Sequence, residues 1–266
     1  MHVGSHLVRL KTPGEIGLMR EAGIVNWHAH QLAAGMVAPG VTTAQIDEAV
    51  ERFFRQQRVV PLFKGVAGRV PFPAVTCISV NEAVVHGIPG DRVLRTGDVV
   101  SIDTGCRKNG WCADSAVTLP VGPISDEAQR LLDVTRQTLE LAIELMAVKR
   151  FWREVAAEME QFVRDPRFSV VENFVGHGIG RAMHEAPQVP NFVSKQLRGQ
   201  GNFELRPGLV IAVEPMVNVG TKDVRATADH WTLVTADGSY SAHFEHTVAI
   251  TDEGPKVLTA SPDGKY

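Results

Sequence analysis

Cysteine is scarce in this chain: Cys77, Cys106 and Cys112 are the only three in 266 residues. Three cysteines without CxxC spacing build neither a disulfide framework nor a structural zinc knuckle, and they suit a reducing compartment. Long apolar runs are missing as well. The opening MHVGSHLVRLKTPGE has no hydrophobic stretch of signal-peptide length, and no run approaches the ~18 apolar residues of a membrane span. These absences read as a cytoplasmic protein with no membrane partner. Basic blocks are absent too: 27 Lys and Arg against 30 Asp and Glu leave a net charge of −3. Nucleic acid is therefore not expected to be recognised by the chain itself. The remaining composition, 44% hydrophobic and 21% charged, is ordinary for a globular protein. The length suits one sizeable domain or two small halves sharing a core.

Capping signals mark the first two helices. Thr12 is placed as an N-cap, with Pro13 at the first helical position and Glu15 completing a capping box. Ile16, Met19, Gly23, Ile24 and Trp27 form an apolar stripe, and Ala38–Gly40 ends the segment. Thr42 and Gln45 repeat the signal before a second helix to about Gln57. From Phe72 the period moves towards two, with strand-like runs at Val75–Val80, Asp98–Thr104, Trp111–Pro120, Ser169–Val175, Leu209–Val219, Trp231–Thr235 and His243–Thr251. Between Ser125 and Arg164 lies a helical stretch long enough to need a break, expected near Lys149–Trp152. Helices then strands, twice over, predict two α+β halves meeting near residue 122 and sharing one core.

The pair Asn109-Gly110 between apolar runs signals a hairpin. With that turn, Gly105 pairs with Asp114 and Asp103 with Ala116, so Asp103 and Asp114 become diagonal neighbours on one face. Diagonal neighbours lie roughly 7–8 Å apart, within joint reach of a cation. Glu214, in LVIAVEPMVNV, and Glu245, in SAHFEHTVAI, each interrupt a mostly apolar run with no Lys or Arg within three residues. Buried acids of this kind are protonated, paired or coordinated. Four converging carboxylates would need about four positive charges, which two divalent cations supply. FVGHGIGRAMHEAP carries His177 and His184 among three glycines. Alone, it reads either as a glycine-rich turn or as backbone passing close to a ligand. Joined to the four acids, His177 adds one imidazole to an oxygen-rich set that suits Mn, Fe, Co or Zn.

The segments NEAVVHGIP, SIDTG with CADS, FVGHGIGRAMHEAPQV, AVEPMVN and SAHFEHT resemble the type I methionine aminopeptidases, from about Lys11 to Lys256. The resemblance implies an α+β pita-bread fold of the creatinase/aminopeptidase kind, with two pseudo-symmetric halves around a dinuclear metal site. Residues 1–10 would form an N-terminal extension. Residues 11–266 would form one catalytic domain, its halves spanning about 11–121 and 122–258. It implies Asp103, Asp114, His177, Glu214 and Glu245 as ligands of two divalent ions (Co, Mn, Fe or Zn), with Asp114 and Glu245 bridging. A water or hydroxide between the ions would attack the scissile carbonyl, and Glu214 would exchange its proton. His86 would contact the substrate backbone or leaving amide, and His184 would stabilise charge on the carbonyl oxygen. Phe72, Cys77, Met183 and Trp231 would wall a methionine pocket.

The substrate implied is the N-terminal methionine of a nascent polypeptide with a small second residue. The enzyme would be a monomer, with the ribosome as its wider partner. Three departures stand out: His243 where the family usually has Gln, His230 where it commonly has Gly, and AVKRFWREV without a Pro-Gly. His243 is read as replacing a glutamine hydrogen bond in preference to adding a ligand. The alternatives are a proline-specific aminopeptidase of the same fold and a metal-free ribosome- or partner-binding pseudo-enzyme. The first typically carries an extra N-terminal domain; intact ligands argue against the second.

Overall fold

A computed structural model describes residues 8–164 and 167–265. Helices α1 (Pro13–Met36) and α2 (Thr43–Gln57) come first. The chain then passes through β1 (Val60–Pro61), β2 (Thr76–Val80), β3 (Ala83–Val85), β4 (Val99–Lys108) and β5 (Trp111–Pro120). Helices α3 (Asp126–Leu145) and α4 (Trp152–Phe162) follow, then β6 (Phe168–Val170), β7 (Gly176–Gly178) and β8 (Glu185–Val189). One turn of helix, α5 (Lys195–Arg198), precedes β9 (Val210–Val213), β10 (Met216–Val219), β11 (Val224–Ala226) and β12 (Leu233–Thr235). Strands β13 (Ser241–His243), β14 (Glu245–Thr251) and β15 (Gly254–Val257) complete the fold.

Both capping boxes form as read. The Thr12 side chain accepts from Glu15 N, and the Glu15 carboxylate accepts from Thr12 N at 2.9 Å; Thr42 and Gln45 do the same. The buried face of α1 differs from the expected stripe. It runs through Ile16, Met19, Gly23, Asn26, His30 and Ala33, while Ile24 and Trp27 are only half-buried. Two of those positions are polar because they seat the helix on the β4–β5 hairpin. Asn26 Nδ2 donates to Thr104 O at 2.8 Å and to Ser115 Oγ at 2.7 Å, and His30 Nε2 meets Ser115 O at 2.9 Å. These bonds satisfy Asn26 Nδ2 and His30 Nε2, while Asn26 Oδ1 and His30 Nδ1 stay buried without a hydrogen-bond partner, and nothing in the helix sequence advertises either residue.

A nine-stranded sheet runs β1-β4-β5-β14-β9-β7-β8, with β2 paired to β4 and β15 to β14. Two three-stranded sheets, β13-β10-β6 and β11-β12-β3, stand beside it. Strand alternation divides the β4–β5 hairpin between two environments. Val100, Ile102, Cys106 and Ala113 pack against Ala22, Val25, Ile46 and Phe54 of α1 and α2. Asp103, Asp114 and Ala116 occupy the other face. The second helix pair, α3 and α4, buries Leu131, Leu139, Trp152 and Met159 against Ile211, Val213 and Val248.

Four expected elements change on folding. The long helix breaks at Met146–Phe151, slightly earlier than expected. Pairing of Phe151 with Glu204, and Leu205 N donating to Arg150 O at 2.8 Å, draw that backbone out of the helix. The expected run Leu209–Val219 splits at Glu214-Pro215, sending β9 to the large sheet and β10 to a small one. The run His243–Thr251 splits likewise at Phe244, and Ser169–Val175 keeps only its beginning as strand β6.

Near the C-terminus, α1 meets residues 258–261 at close range. Arg20 donates to the carbonyls of Leu258 at 2.7 Å, Ala260 at 2.6 Å and Ser261. One turn on, a Cβ at Gly23 would fall on the Leu258 carbonyl. Gly23→Ala should raise helix propensity by about 1 kcal/mol yet lower net stability by roughly 1–3 kcal/mol, because backbone must move. Urea unfolding, with the midpoint dropping, checks the sign.

Candidate metal centre and active site

Backbone register brings the acids together. Asp103 pairs with Ala116, and Ala116 with Glu245, so two carboxylates flank one small side chain across three strands. Gly105 pairs with Asp114, as the Asn109-Gly110 turn predicts. Thr247 ties β14 to β5: its Oγ1 accepts from Asp114 N at 3.0 Å and donates to Asp114 O at 2.8 Å. Glu214 stands at the corner between β9 and β10, where Pro215 offers no N–H to continue the ladder. Met216 pairs with His243 on β13, which places His243 across from Glu214. His177 lies on β7, whose flanking glycines answer to packing. A Cβ on Gly176 would strike Ala212 O of β9, and one on Gly178 would strike Ala186 O of β8.

All twelve side chains singled out in the sequence line one cavity of about 700 Å³. Asp114, His177 and Glu245 each offer a ligand atom, and these atoms lie within 4.8 Å of one another. Glu214 Oε1 is 3.5 Å from His177 Nε2, and Glu214 Oε2 is 4.0 Å from His243 Nε2. Asp103 stands outside the tightest trio but faces the same space. His177 Nδ1 hydrogen-bonds Gly178 O at 3.0 Å, which leaves Nε2 with its lone pair directed to the acids.

The electrostatics are those of a crowded, dry set of acids. Burial pushes the Asp114 carboxyl up to about 7, and burial with the Asp114 charge pushes Glu214 up to about 8. Asp103 and Glu245 are raised well above the carboxylate range by burial, then by their acidic neighbours. Burial drives the histidines the other way, His177 and His243 to about 3 and His86 to about 4, so they are neutral donors. Asp103 Oδ1, Asp114 Oδ1, Glu245 Oε1 and His243 Nε2 are buried without a hydrogen-bond partner. Orphaned oxygens on several acids, beside neutral imidazoles, fit divalent cations bound by hard and borderline ligands.

The cavity continues into an apolar wall. Phe72 and Cys77 pack with Phe63, Ala74, Met183 and Trp231. Trp231 meets Phe72 edge-on at 5.2 Å and donates Nε1–H to Val70 O at 2.8 Å. His86 sits edge-on between Phe174, at 5.5 Å, and Trp231, at 6.3 Å, with φ of 59°. Positive φ on a non-glycine residue is strained, and such strain gathers at functional sites. His184 is exposed, its ring edge-on to His177 at 4.4 Å. Phe63, Val66 and Phe174 also line the cavity and were not read from the sequence; Phe174 opens the glycine-histidine motif, and the other two resemble ordinary core. His230 lies outside the cavity lining. It is exposed with φ of 68°, a conformation that glycine adopts without strain.

A buried cluster of acids and imidazoles with this donor set fits a metal-dependent hydrolase. The chain belongs to metallopeptidase family M24, whose family model matches residues 17–252. It is 44% identical over 255 residues to methionine aminopeptidase 1 of Bacillus subtilis, covering 95% of this chain and 99% of that protein. Against methionine aminopeptidase of Clostridium perfringens the identity is 46% over 253 residues, with coverage of 95% and 99%. The crystal structure of Thermotoga maritima methionine aminopeptidase superposes with a TM-score of 0.89 at 40% identity, covering 95% of this chain and 99% of that one. Prolidase from Pyrococcus furiosus shares the fold, with a TM-score of 0.72 at 21% identity, and this chain covers 65% of it.

Asp114 and Glu214 keep protons in the metal-free fold to about pH 7 and 8, whereas unfolded carboxylates release them near pH 4. The native state binds more protons over that range, so stability falls as pH rises through it. Buried neutral histidines act oppositely, but only below about pH 6.5, where unfolded imidazole gains its proton. Metal-free protein should therefore melt lower at about pH 8.5 than at pH 6.5. Saturating Mn²⁺ should reverse the trend, since ligation favours deprotonated acids. Scanning calorimetry at both pH values checks it.

Proposed function

We propose that this chain is a metal-dependent methionine aminopeptidase that removes the N-terminal methionine from polypeptides with a small second residue. The observation that carries the reading is the continuity of one cavity. A floor of Asp103, Asp114, His177, Glu214 and Glu245 adjoins an apolar wall of Phe72, Cys77, Met183 and Trp231. An unbranched apolar side chain fits that wall, and its carbonyl would then lie over the acids. In this reading Asp103, Asp114, His177, Glu214 and Glu245 would hold two divalent ions, and the halves around them span about residues 11–121 and 122–258. Such ions supply a lowered water pKa and a polarised carbonyl.

The chain's own groups divide the remaining work. Glu214 lies beside the trio, and burial raises its pKa towards neutrality in the metal-free fold, so it suits receipt and return of a proton. His184, neutral and exposed at the rim, donates a hydrogen bond to the carbonyl oxygen as negative charge develops. His86, held between Phe174 and Trp231, contacts the backbone of the substrate or the departing amide. The substrate is the N-terminus of a nascent chain, met in the cytoplasm by a monomer. Among the described residues no helix is long and apolar enough to cross a membrane.

Manganese-loaded protein should cleave Met-Ala-Ser and leave Ala-Pro-Ala intact; cleavage of Ala-Pro-Ala alone would assign it to the proline-specific relatives. Asp103→Asn or Glu245→Gln should lose metal affinity and turnover together, turnover falling at least 100-fold, since removing a ligand to the ions costs both. Calorimetric Mn²⁺ titration alongside the peptide assay separates a lost ligand from a lost fold.

A further inference from the structure

An ion pair lies under the loop that carries His184 and takes no part in the steps above. Lys11 precedes α1, and its side chain is 1% exposed. Its Nζ donates to Glu185 Oε2 at 2.9 Å, across 174 positions of sequence. The other oxygen, Glu185 Oε1, accepts the backbone N–H of Arg181 at 2.8 Å and of Ala182 at 3.1 Å. One carboxylate thus satisfies two consecutive N–H groups at the start of the bends at 181–184. The fit is close at Gly180, where a Cβ would stand 2.6 Å from Glu185 Oε1 and 2.8 Å from Lys11 Cε. Lys11 is itself pinned, its backbone N donating to Gly208 O at 2.7 Å.

Charge matters to this arrangement. Burial opposes ionisation of Glu185, but the Lys11 ammonium and the two N–H groups outweigh it, and its carboxyl lies below the usual range. An ionised carboxylate accepts at both oxygens, and charge-assisted bonds are the stronger kind. His184, the next residue back, is exposed and touches His177 only edge-on, so its placement depends on the backbone beneath it. We propose that Lys11 and Glu185 are positioning residues, an ion pair that holds the 181–184 bends in the conformation presenting His184 to the substrate carbonyl. This inference rests on the role of His184 given above.

Lys11→Met and Glu185→Gln should each lower kcat for Met-Ala-Ser by roughly 10- to 100-fold through misplacement of one group, with KM and Mn²⁺ affinity little changed. In a His184→Ala background, Lys11→Met should cost nothing further, because both changes remove one function. In the metal-free protein, the His184 ring signals in ¹H–¹⁵N spectra should shift or broaden in both variants while those of His86 stay in place. Glu185→Gln preserves shape and carries the test if Lys11→Met does not fold. Additive losses in the double variant, or an unmoved His184 signal, would overturn the proposal. A fully active His184→Ala defeats the role of His184 itself. An impaired His184→Ala beside fully active Lys11→Met and Glu185→Gln defeats this inference alone.

Discussion

Four carboxylates share one buried cavity, and their mutual repulsion governs what the surrounding structure has to do. Each loses hydration on folding, and each raises the cost of ionising the others. Among the described residues the basic side chains within 4.0 Å of these acids are His177 and His243, both beside Glu214 and both held neutral by burial, and none is a lysine or arginine. Protonation would quiet the repulsion but leave acceptor atoms such as Asp103 Oδ1 and Glu245 Oε1 without partners. Divalent cations satisfy the charge and the lone pairs together. A fold that assembles such a set without its ions must be held by other means. The apolar layers beneath α1–α2 and α3–α4, on the far side of the same strands, provide them.

The site is built where strands change sheets. Glu214 and His243 sit at two corners, each at a point where a β run leaves one sheet and enters another. A continuous strand would alternate its side chains between faces and could not direct neighbouring segments into one hollow. Breaking the ladder at Pro215 and at Phe244 frees these two side chains to face each other, at 4.0 Å. The hairpin then supplies Asp103 and Asp114 in fixed register, with Thr247 locking β14 alongside. Ala116, small and flanked by Asp103 and Glu245, leaves the volume between the acids open.

Much of this was legible in the residues. The hairpin register followed from two turn residues and the two-residue period, and the structure reproduces it from Lys108 opposite Trp111 to Asp103 opposite Ala116. The two capping boxes were equally local and equally readable. The helix break at Met146–Phe151 was placed only approximately, because neither Gly nor Pro makes it; pairing with residues 203–205 does. Asn26 and His30 were missed for the same reason, their partners lying on strands 78 to 89 residues away. Phe63 and Val66 look like core in any sequence, and only the cavity separates them from it. His230 shows the converse: its departure from glycine was visible, but the positive φ that gives it meaning was not.

Local chemistry in the chain therefore determined the capped helices, the Asn109-Gly110 hairpin and the identity of the acids and imidazoles, since turns, caps and periods act over a few residues. Resemblance of five short motifs then pointed to the family and its reaction. Convergence was decided only in three dimensions. Two strand runs had to bend at Glu214-Pro215 and Phe244, β14 had to insert beside β5, and Lys11 had to reach Glu185. Pairing between distant segments sets those contacts, and no local preference encodes it.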